Sequence, residues 1–216
     1  MALKFLFQKV LKDAALLNIA ASVNKRSREY FISKAKEIEN QRPNRILDRK
    51  DIKDNLQSEL PFKPGDIFLF NYYPKNAENE KKLPYYDRYP LILLLDIQPE
   101  FILGLNFHYL PYLERAILLS QLYRYLSEDQ ITVDNIPSVL GEKAFVDIDY
   151  TKVQNLNVPK KYWKPCFKKY LNTNIRGKML KVHPQEWDIL LQLPLERFVR
   201  ANRQTVWRES NVKWNK

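Results

Sequence analysis

The chain has 216 residues, and its 36 Lys and Arg against 25 Asp and Glu give a formal net charge of +11. This length suffices for one core with an appendage or for two small domains. The single cysteine excludes a disulfide framework, no Cys/His group has zinc spacing, and four glycines leave no phosphate loop, so we expect an intracellular setting, or a particle assembled there, without metal or cofactor.

The first predicted unit is a helical arm over residues 1–45. Apolar residues recur there at helical intervals and predict one long helix, or two joined near Ser22 to Ser27, over roughly residues 2–40. Charged residues interrupt every apolar run, so we expect neither a membrane span nor a signal peptide. The arm residues that we expect to contact a partner are Leu6, Val10, Leu17, Arg26 and Arg28.

A polar linker over residues 46–60 is predicted to lead into a core domain over residues 61–216. The domain opens with the turn signal Pro64-Gly65-Asp66, which precedes an aromatic-rich strand from Ile67 to Tyr73. Two more apolar runs follow the charged segment from Lys75 to Lys82. We therefore predict that the sheet begins at this turn.

The two further strands are predicted at Leu91 to Ile97 and at Phe101 to Phe107. A tight hairpin should join them through Gln98-Pro99-Glu100. Pro111 should open a helix, because proline is tolerated in a first turn. Residues 127–158 are predicted to be mostly irregular.

The basic carboxyl-terminal part begins with residues 160–171, in which pairs of bases alternate with aromatic residues. At helical spacing the aromatic residues share one side and the lysines lie mostly elsewhere, so we interpret this segment as one helical element. Met179 to Val182 predicts a strand, and Ile189 to Leu193 predicts either a strand or a helix. Leu195 to Glu209 is predicted to be a helix with its arginines outward.

Together these elements predict an α+β fold with a small curved antiparallel sheet or an SH3-like partial barrel, a long N-terminal helical arm and C-terminal helices. SH3-like barrels that open with a Pro-Gly-Asp turn are similar to the barrels of a family of growth-inhibitor toxins, which are ribonucleases. Those toxins are shorter, and the arginine that usually follows their first loop is replaced here by the segment Leu83 to Leu91. A toxin-like ribonuclease barrel is therefore a minor alternative.

The charge is distributed unevenly along the chain. Residues 1–59 carry +5, with 13 Lys and Arg against 8 Asp and Glu; residues 60–151 carry −5, with 8 against 13; and residues 152–216 carry +11, with 15 against 4. Clustered bases bind polyanions because they release condensed counterions, but basic ends also suit an acidic protein neighbour. The pattern therefore favours a nucleic-acid partner or a protein partner.

The segment Leu83 to Leu91 is the densest aromatic and proline motif of the chain. Tyr85, Tyr86 and Arg88 are candidates for a partner-binding site, with Asp87 placing the arginine. Alternatively, the tyrosines fix the loop onto the sheet, as the flanking prolines suggest.

No catalytic residue is assigned. The sequence lacks a GxSxG elbow and an HExxH helix, which lowers the expectation of an enzyme. His108 has no nucleophile beside it and is predicted to be a packed histidine. Lys164 and Lys168 flank Cys166 and could lower its pKa, but a buried packing role is more common.

Four ordered motifs carry a family resemblance: Leu83 to Leu91, Gly104 to Pro111, Tyr162 to Tyr170, and Glu186 to Phe198. Over roughly residues 60–208 the chain resembles virion proteins of T-even-like tailed phages, notably marine cyanophages. Some members of that family are described as DNA end protectors and others only as virion structural proteins. The resemblance implies a protein of the virion, assembled in the host cytoplasm, with other phage structural proteins as partners.

A DNA end protector needs basic groups for duplex phosphates and aromatic groups that cap exposed base pairs. We therefore expect a non-enzymatic phage protein that contacts double-stranded DNA near the head or neck. The alternative is a baseplate, neck or tail subunit that binds only proteins. The expected DNA-binding residues are Lys160, Lys161, Lys164, Lys168, Lys169, Arg176, Arg197, Arg200, Arg203 and Arg208.

Overall fold

The computed structural model describes residues 5–19, 24–41, 46–47, 64–120 and 164–212. The helices in these ranges are α1 (Leu6–Leu16), α2 (Lys25–Gln41), α3 (112–120), α4 (Trp187–Gln192) and α5 (Arg203–Val212). The strands are β1 (Ile46–Leu47), β2 (Ile67–Tyr72), β3 (Tyr86–Asp87), β4 (Leu91–Ile97), β5 (Phe101–Asn106), β6 (Phe167–Leu171), β7 (Ile175–Val182) and β8 (Phe198–Val199). The predicted α+β class is confirmed.

Six of these strands form one antiparallel sheet in the order β1-β7-β2-β4-β5-β6. The other two, β3 and β8, pair with each other as a short antiparallel ribbon. β4 and β5 are the hairpin that the sequence predicts. Within the described residues, β6 and β1 are the two edges of the sheet, which is therefore not closed into a barrel.

The sheet is nevertheless strongly curled. β6 and β7 lie four positions apart in the strand order, which would separate them by roughly 19 Å in a flat sheet. Only the 3-10 turn Asn172–Asn174 joins them, and a link of that length spans about 14 Å at most. The curl also brings Tyr72 of β2 to Tyr170 of β6, with ring centroids 4.9 Å apart. The covalent connection alone thus requires the curvature.

Both faces of the sheet are buried, so successive residues of one strand enter different cores. On β2, Ile67 and Leu69 face one core while Phe68 and Phe70 face the other. The core inside the curl consists of Phe68, Phe70, Tyr72, Ile92, Leu94, Ile102, Tyr170, Ile175 and Met179. Burial on both faces explains why the strands are continuous apolar runs in the sequence.

The outer core lies between the sheet and the helices. From the N-terminal helices it receives Phe7, Ala14, Phe31 and Ala35, all of them buried. The backbone N–H of Phe7 also donates a 2.5 Å hydrogen bond to the carboxylate of Glu186, just before α4. The arm predicted over residues 1–45 therefore contains two helices, and their apolar faces share a core with the sheet.

The segment predicted to be a linker contains β1. Ile46 pairs with Leu180, and Leu47 pairs with Met179, so this short strand extends the sheet beyond β7. The remaining residues of 46–60 lie outside the described part of the chain, as do residues 127–158. Among the described residues, no helix combines the length and the apolar character that crossing a membrane requires.

One predicted helix is wrong, and another, predicted from Leu195 to Glu209, is helical only from Arg203, where α5 begins. The described part of residues 160–171 is the 3-10 turn Lys164–Cys166 followed by β6, because Pro165 lacks the N–H that a helix interior needs and the following residues pair with β5. In the predicted helix from Leu195 to Glu209, β8 precedes a break at Arg200, whose φ of 66° ends the extended segment. The run from Ile189 to Leu193 is mostly helical, as α4.

Gly104 lets β5 approach the inner core closely. A Cβ at this position would lie 2.6 Å from Cδ1 and 3.0 Å from Cβ of Ile92. We expect Gly104→Ala to lower the free energy of unfolding by about 1–3 kcal/mol, measured by urea denaturation, because overpacking displaces neighbours. Ile92→Val removes the Cδ1 atom, so the double variant should lose less than the sum of the two single losses. Strict additivity would contradict this explanation.

Candidate nucleic-acid interface

The site is built around Asp87, which the short β3–β8 ribbon holds at 3% exposure. One of its carboxylate oxygens accepts hydrogen bonds from the backbone N–H groups of Tyr89 (3.0 Å) and Arg197 (3.2 Å). The other accepts hydrogen bonds from Nδ1 of His108 (2.7 Å) and Nδ2 of Asn106 (3.2 Å). Both oxygens of this buried carboxylate are therefore fully occupied.

This network connects three separate parts of the fold. Asn106 at the end of β5 donates a second hydrogen bond, of 3.0 Å, to the hydroxyl of Tyr170 on β6. Burial alone would raise the pKa of Asp87, but attraction to His108 and the hydrogen bonds from His108, Tyr89 and Asn106 outweigh it. The pKa of Asp87 therefore lies below its usual value. A charged, fully bonded carboxylate thus fixes the floor of the site.

A pocket of about 280 Å³ opens above this network. Five tyrosines from four parts of the chain line it together with two lysines, two prolines, a leucine and Asp87. The lining residues are Tyr72, Pro74, Leu83, Pro84, Tyr85, Tyr86, Asp87, Tyr109, Lys168, Lys169 and Tyr170. The curl of the sheet brings β2 and β6 to one opening, and β3 of the short ribbon adds Tyr86 and Asp87 to it.

The tyrosines offer a neutral aromatic surface. Tyr85 is half-buried at the rim, its ring 6.4 Å from Tyr109 and tilted by 33° to it. Burial, with a smaller effect from Glu209, raises the pKa of Tyr85 to about 12. Burial likewise raises the pKa of Tyr109 and of Tyr170. These rings therefore carry no negative charge near neutral pH that would repel a phosphate.

The two lysines of β6 bring positive charge to the same opening. Nζ of Lys168 lies 4.1 Å from the ring centroid of Tyr109, and Nζ of Lys169 lies 3.6 Å from that of Phe101. Such cation–π contacts hold the ammonium groups in place and leave their charge intact. The structure thus joins Tyr85 and Tyr86 to Lys168 and Lys169, which the sequence places more than 80 positions apart.

Arg200 supports the wall of the pocket. Its guanidinium donates hydrogen bonds to the carbonyls of Ala77 (2.6 Å), Leu83 (2.7 Å) and Pro84 (3.2 Å). It also lies 3.7 Å from the carboxylate of Glu80. Because its donors are used in this way, Arg200 holds the loop before β3 in position, and the DNA contact expected from the sequence stays a prediction.

Several other candidate cations surround the same end of the molecule. Arg88 is exposed, and its backbone N–H donates a 2.8 Å hydrogen bond to the carbonyl of Arg197, whose side chain is also exposed. Exposed Arg176 lies 6.0 Å from the ring of Tyr73, which is 6.2 Å from the ring of Tyr86. These three arginines can therefore reach a ligand that extends beyond the pocket.

The remaining basic candidates are placed differently. Arg203 lies 3.6 Å from the buried carboxylate of Glu196, whereas Arg208 is exposed on α5. Lys164 lies in the 3-10 turn before β6. Lys160 and Lys161 lie outside the described residues.

The candidate contacts on the arm divide into buried and accessible residues. Leu6 and Val10 are buried in the outer core of this chain, whereas Leu17 is 56% exposed at the end of α1. On α2, Arg26 is exposed and Arg28 is half-buried. The side chains of Leu6 and Val10 are therefore already used within the fold.

The groups that sequence analysis considered for chemistry are buried. Burial raises the pKa of the Cys166 thiol well above its ordinary value, which fits its predicted packing role. His108 is fully buried beside Asp87. The described residues contain no group of His, Cys, Asp and Glu that could hold a metal ion.

The roles of Tyr72, Tyr109 and Tyr170 in the lining were not predicted. Tyr72 and Tyr109 occur in apolar segments that predict core burial, and no local spacing distinguishes them from other core tyrosines. The aromatic–basic alternation at Lys168 to Tyr170 and the candidates Tyr85 and Tyr86 pointed to this surface. Interpreting the alternation with a helical period placed its side chains incorrectly, because residues alternate along a strand.

One protein-family model matches residues 5–214 of the chain, and its description is Phage T4 terminal DNA protecting protein. The match includes the N-terminal helices, which the resemblance in separate motifs did not cover. The comparison with curated proteins found no match, and neither did the comparison with solved structures.

Proposed function

The chain belongs to the family of the Phage T4 terminal DNA protecting protein, and from this membership we propose that it binds the ends of linear duplex DNA and shields them from exonucleases. The protein acts by occupying the end and needs no catalytic step. Its place is in the virion, near the head or neck, where it also contacts other phage structural proteins.

The observation that carries this proposal is the pairing of an aromatic pocket with a basic surround. Lys168 and Lys169 stand at the pocket, and the exposed side chains of Arg88, Arg176 and Arg197 lie around the same end of the molecule. Phosphates require clustered positive charge, and exposed bases stack on aromatic rings. A DNA end presents both features at one place, so this combination suits it.

Binding to proteins alone is the second candidate. Leu16 and Leu17 are 83% and 56% exposed at the end of α1, which favours a protein contact there. Such a contact is compatible with DNA binding, because α1 contributes nothing to the lining of the pocket. Without DNA binding, the chain would be a neck, baseplate or tail subunit.

The test compares linear duplex DNA with covalently closed circles of the same sequence across a salt series. We expect binding to the linear form to be at least about tenfold tighter, a difference of about 1.4 kcal/mol. Exonuclease digestion provides the second readout, and bound ends should be digested more slowly at near-physiological salt. Because the two DNAs share sequence and charge, only the ends differ between them.

Equal binding to both DNAs would refute end recognition. If that binding also disappeared as salt was raised, the basic groups would act only as a non-specific polyanion surface. The protein-only alternative would then be favoured, and the double variant Leu16→Ser, Leu17→Ser, which changes only exposed side chains, should reduce incorporation into particles.

A further inference from the structure

We propose that the tyrosine pocket receives the terminal nucleotide of a frayed DNA strand, with the base on Tyr85 and the phosphate at Lys168. This inference rests on the proposed function and specifies the ligand of the same site. It assigns the pocket to one unpaired nucleotide and the surrounding arginines to the duplex behind it.

The size of the pocket limits the ligand. Small-molecule pockets usually measure about 300–1,000 Å³, and the volume of about 280 Å³ falls just below that range. A single base with its sugar suits such a space, whereas a stacked base pair does not. A duplex end must therefore open by at least one pair before it enters.

The lining provides for both parts of a nucleotide. Tyr85 is accessible at the rim and neutral, so it offers a face on which any base can stack. Lys168 is held 4.1 Å from the ring centroid of Tyr109, at the same opening. A phosphate that enters thus meets a cation whose position is already fixed.

The acidic group in the lining does not oppose this arrangement. All four hydrogen bonds to Asp87 come from the protein, so its oxygens do not compete for the lysines. The ammonium of Lys168 balances the charge of Asp87 within the lining, and exposed Lys169 on the same strand adds positive charge beside the pocket. The opening of the pocket therefore carries the sign of charge that a phosphate needs.

The frame of the pocket is rigid before any ligand arrives. The carbonyls of Leu83 and Pro84 are bonded to Arg200, and β3 is bonded to β8. A preformed site avoids the entropy cost of ordering a loop on binding. Arg200 is thus a positioning residue, which acts on the ligand through the loop.

A pocket of this kind selects ends without reading sequence. Extruding a base from a duplex costs a few kcal/mol, and least where the base is already unpaired. Terminal pairs have a stacking neighbour on one side only, so they open more readily than internal ones. The preference for ends then follows from the cost of opening, and every base can be accepted.

The test uses duplexes that carry 2-aminopurine, a fluorescent base, at the terminal position or at an internal position. The full-length protein should change the fluorescence of 2-aminopurine at the terminal position and leave its fluorescence at the internal position unaltered. Tyr85→Ala should weaken binding to the frayed end about 5- to 160-fold, the range of one lost stacking contact. Tyr85→Phe keeps the ring and should retain both the signal and the affinity.

Lys168→Ala tests the phosphate contact separately. It should lower the affinity for an end that carries a terminal phosphate more than for the same end without one. Thermal unfolding of each variant identifies any loss that reflects the fold. If the pocket does not bind the base, the wild type and Tyr85→Ala will give equal fluorescence changes of the terminal 2-aminopurine. That result would overturn the inference.

The two proposals fail in different ways. In one outcome, the protein prefers linear DNA but Tyr85→Ala does not alter the fluorescence change of the terminal 2-aminopurine. That outcome would retain end protection and reject the pocket as the nucleotide site. Equal binding to linear and circular DNA would reject end recognition itself. A short single strand containing 2-aminopurine then tests the pocket alone, and loss of its binding in Tyr85→Ala would still support a nucleotide site.

Discussion

Replacing Asp87 with alanine is expected to lower the free energy of unfolding by about 3–5 kcal/mol, the range for one partner removed from a buried ionic network. The carboxylate accepts four hydrogen bonds. The variant leaves the donors of His108 and Asn106 buried without this acceptor, and each such group costs about 1–3 kcal/mol. Urea denaturation gives the measurement.

The matched control is Asp188→Ala. Asp188 is exposed in the first turn of α4, where a carboxylate contributes at most about 1 kcal/mol. If Asp87→Ala lowers the free energy of unfolding no more than Asp188→Ala does, the buried network contributes little to stability.

The same network predicts a dependence on pH. Because folding lowers the pKa of Asp87, its contribution is complete above the unfolded pKa of about 4 and is lost as the pH falls through the folded pKa. The wild type should therefore lose its advantage over Asp87→Ala as the pH is lowered below about 4. A constant difference between the two proteins across that range would contradict the lowered pKa.

Removing three cations around the pocket is expected to have the largest effect on DNA binding. Each phosphate contact contributes about 0.9 to the slope of log K against log salt, so the triple variant Arg88→Ala, Lys169→Ala, Arg176→Ala should reduce that slope by about 2.7. Near 0.1 M salt this corresponds to roughly 10²- to 10³-fold weaker binding. Fluorescence anisotropy with a labelled linear duplex across a salt series measures both quantities.

A second triple variant provides the control for net charge. Lys25, Arg26 and Lys36 are exposed on α2 and contribute nothing to the lining of the pocket. Their replacement with alanine removes the same charge from another surface, so the affinity and the slope should change much less. Equal losses in the two variants would mean that total charge, and no particular face, determines binding.

The hairpin was predictable from the sequence because its determinants are local. Continuous apolar runs flank Gln98-Pro99-Glu100, and the structure pairs the two runs as β4 and β5. The α+β class and the phage family were predicted correctly for similar reasons: each depends on short motifs that can be recognised without knowing their neighbours in space.

The pocket was not predictable in the same way. Tyr85, Tyr109 and Lys168 come from segments far apart in the chain, and they meet because β6 pairs with β5 and the β3–β8 ribbon lies at the same end of the molecule. No local pattern specifies these long-range strand pairings. The aromatic–basic segment was recognised, but its period was assigned incorrectly because pairing with β5 overrides the apparent helical spacing.

The position of β7 in the sheet also determines when the protein can fold during its synthesis. Ile67 of β2 pairs with Val182 of β7, 115 residues further along the chain. A ribosome that adds about 5–20 residues per second needs roughly 6–23 s to produce that stretch. The β4–β5 hairpin can form early in this interval, but the other edge of β2 stays unpaired until β7 emerges. The nascent chain therefore exposes an apolar strand edge while these 115 residues are synthesised, and the sheet is completed only after β7 has emerged.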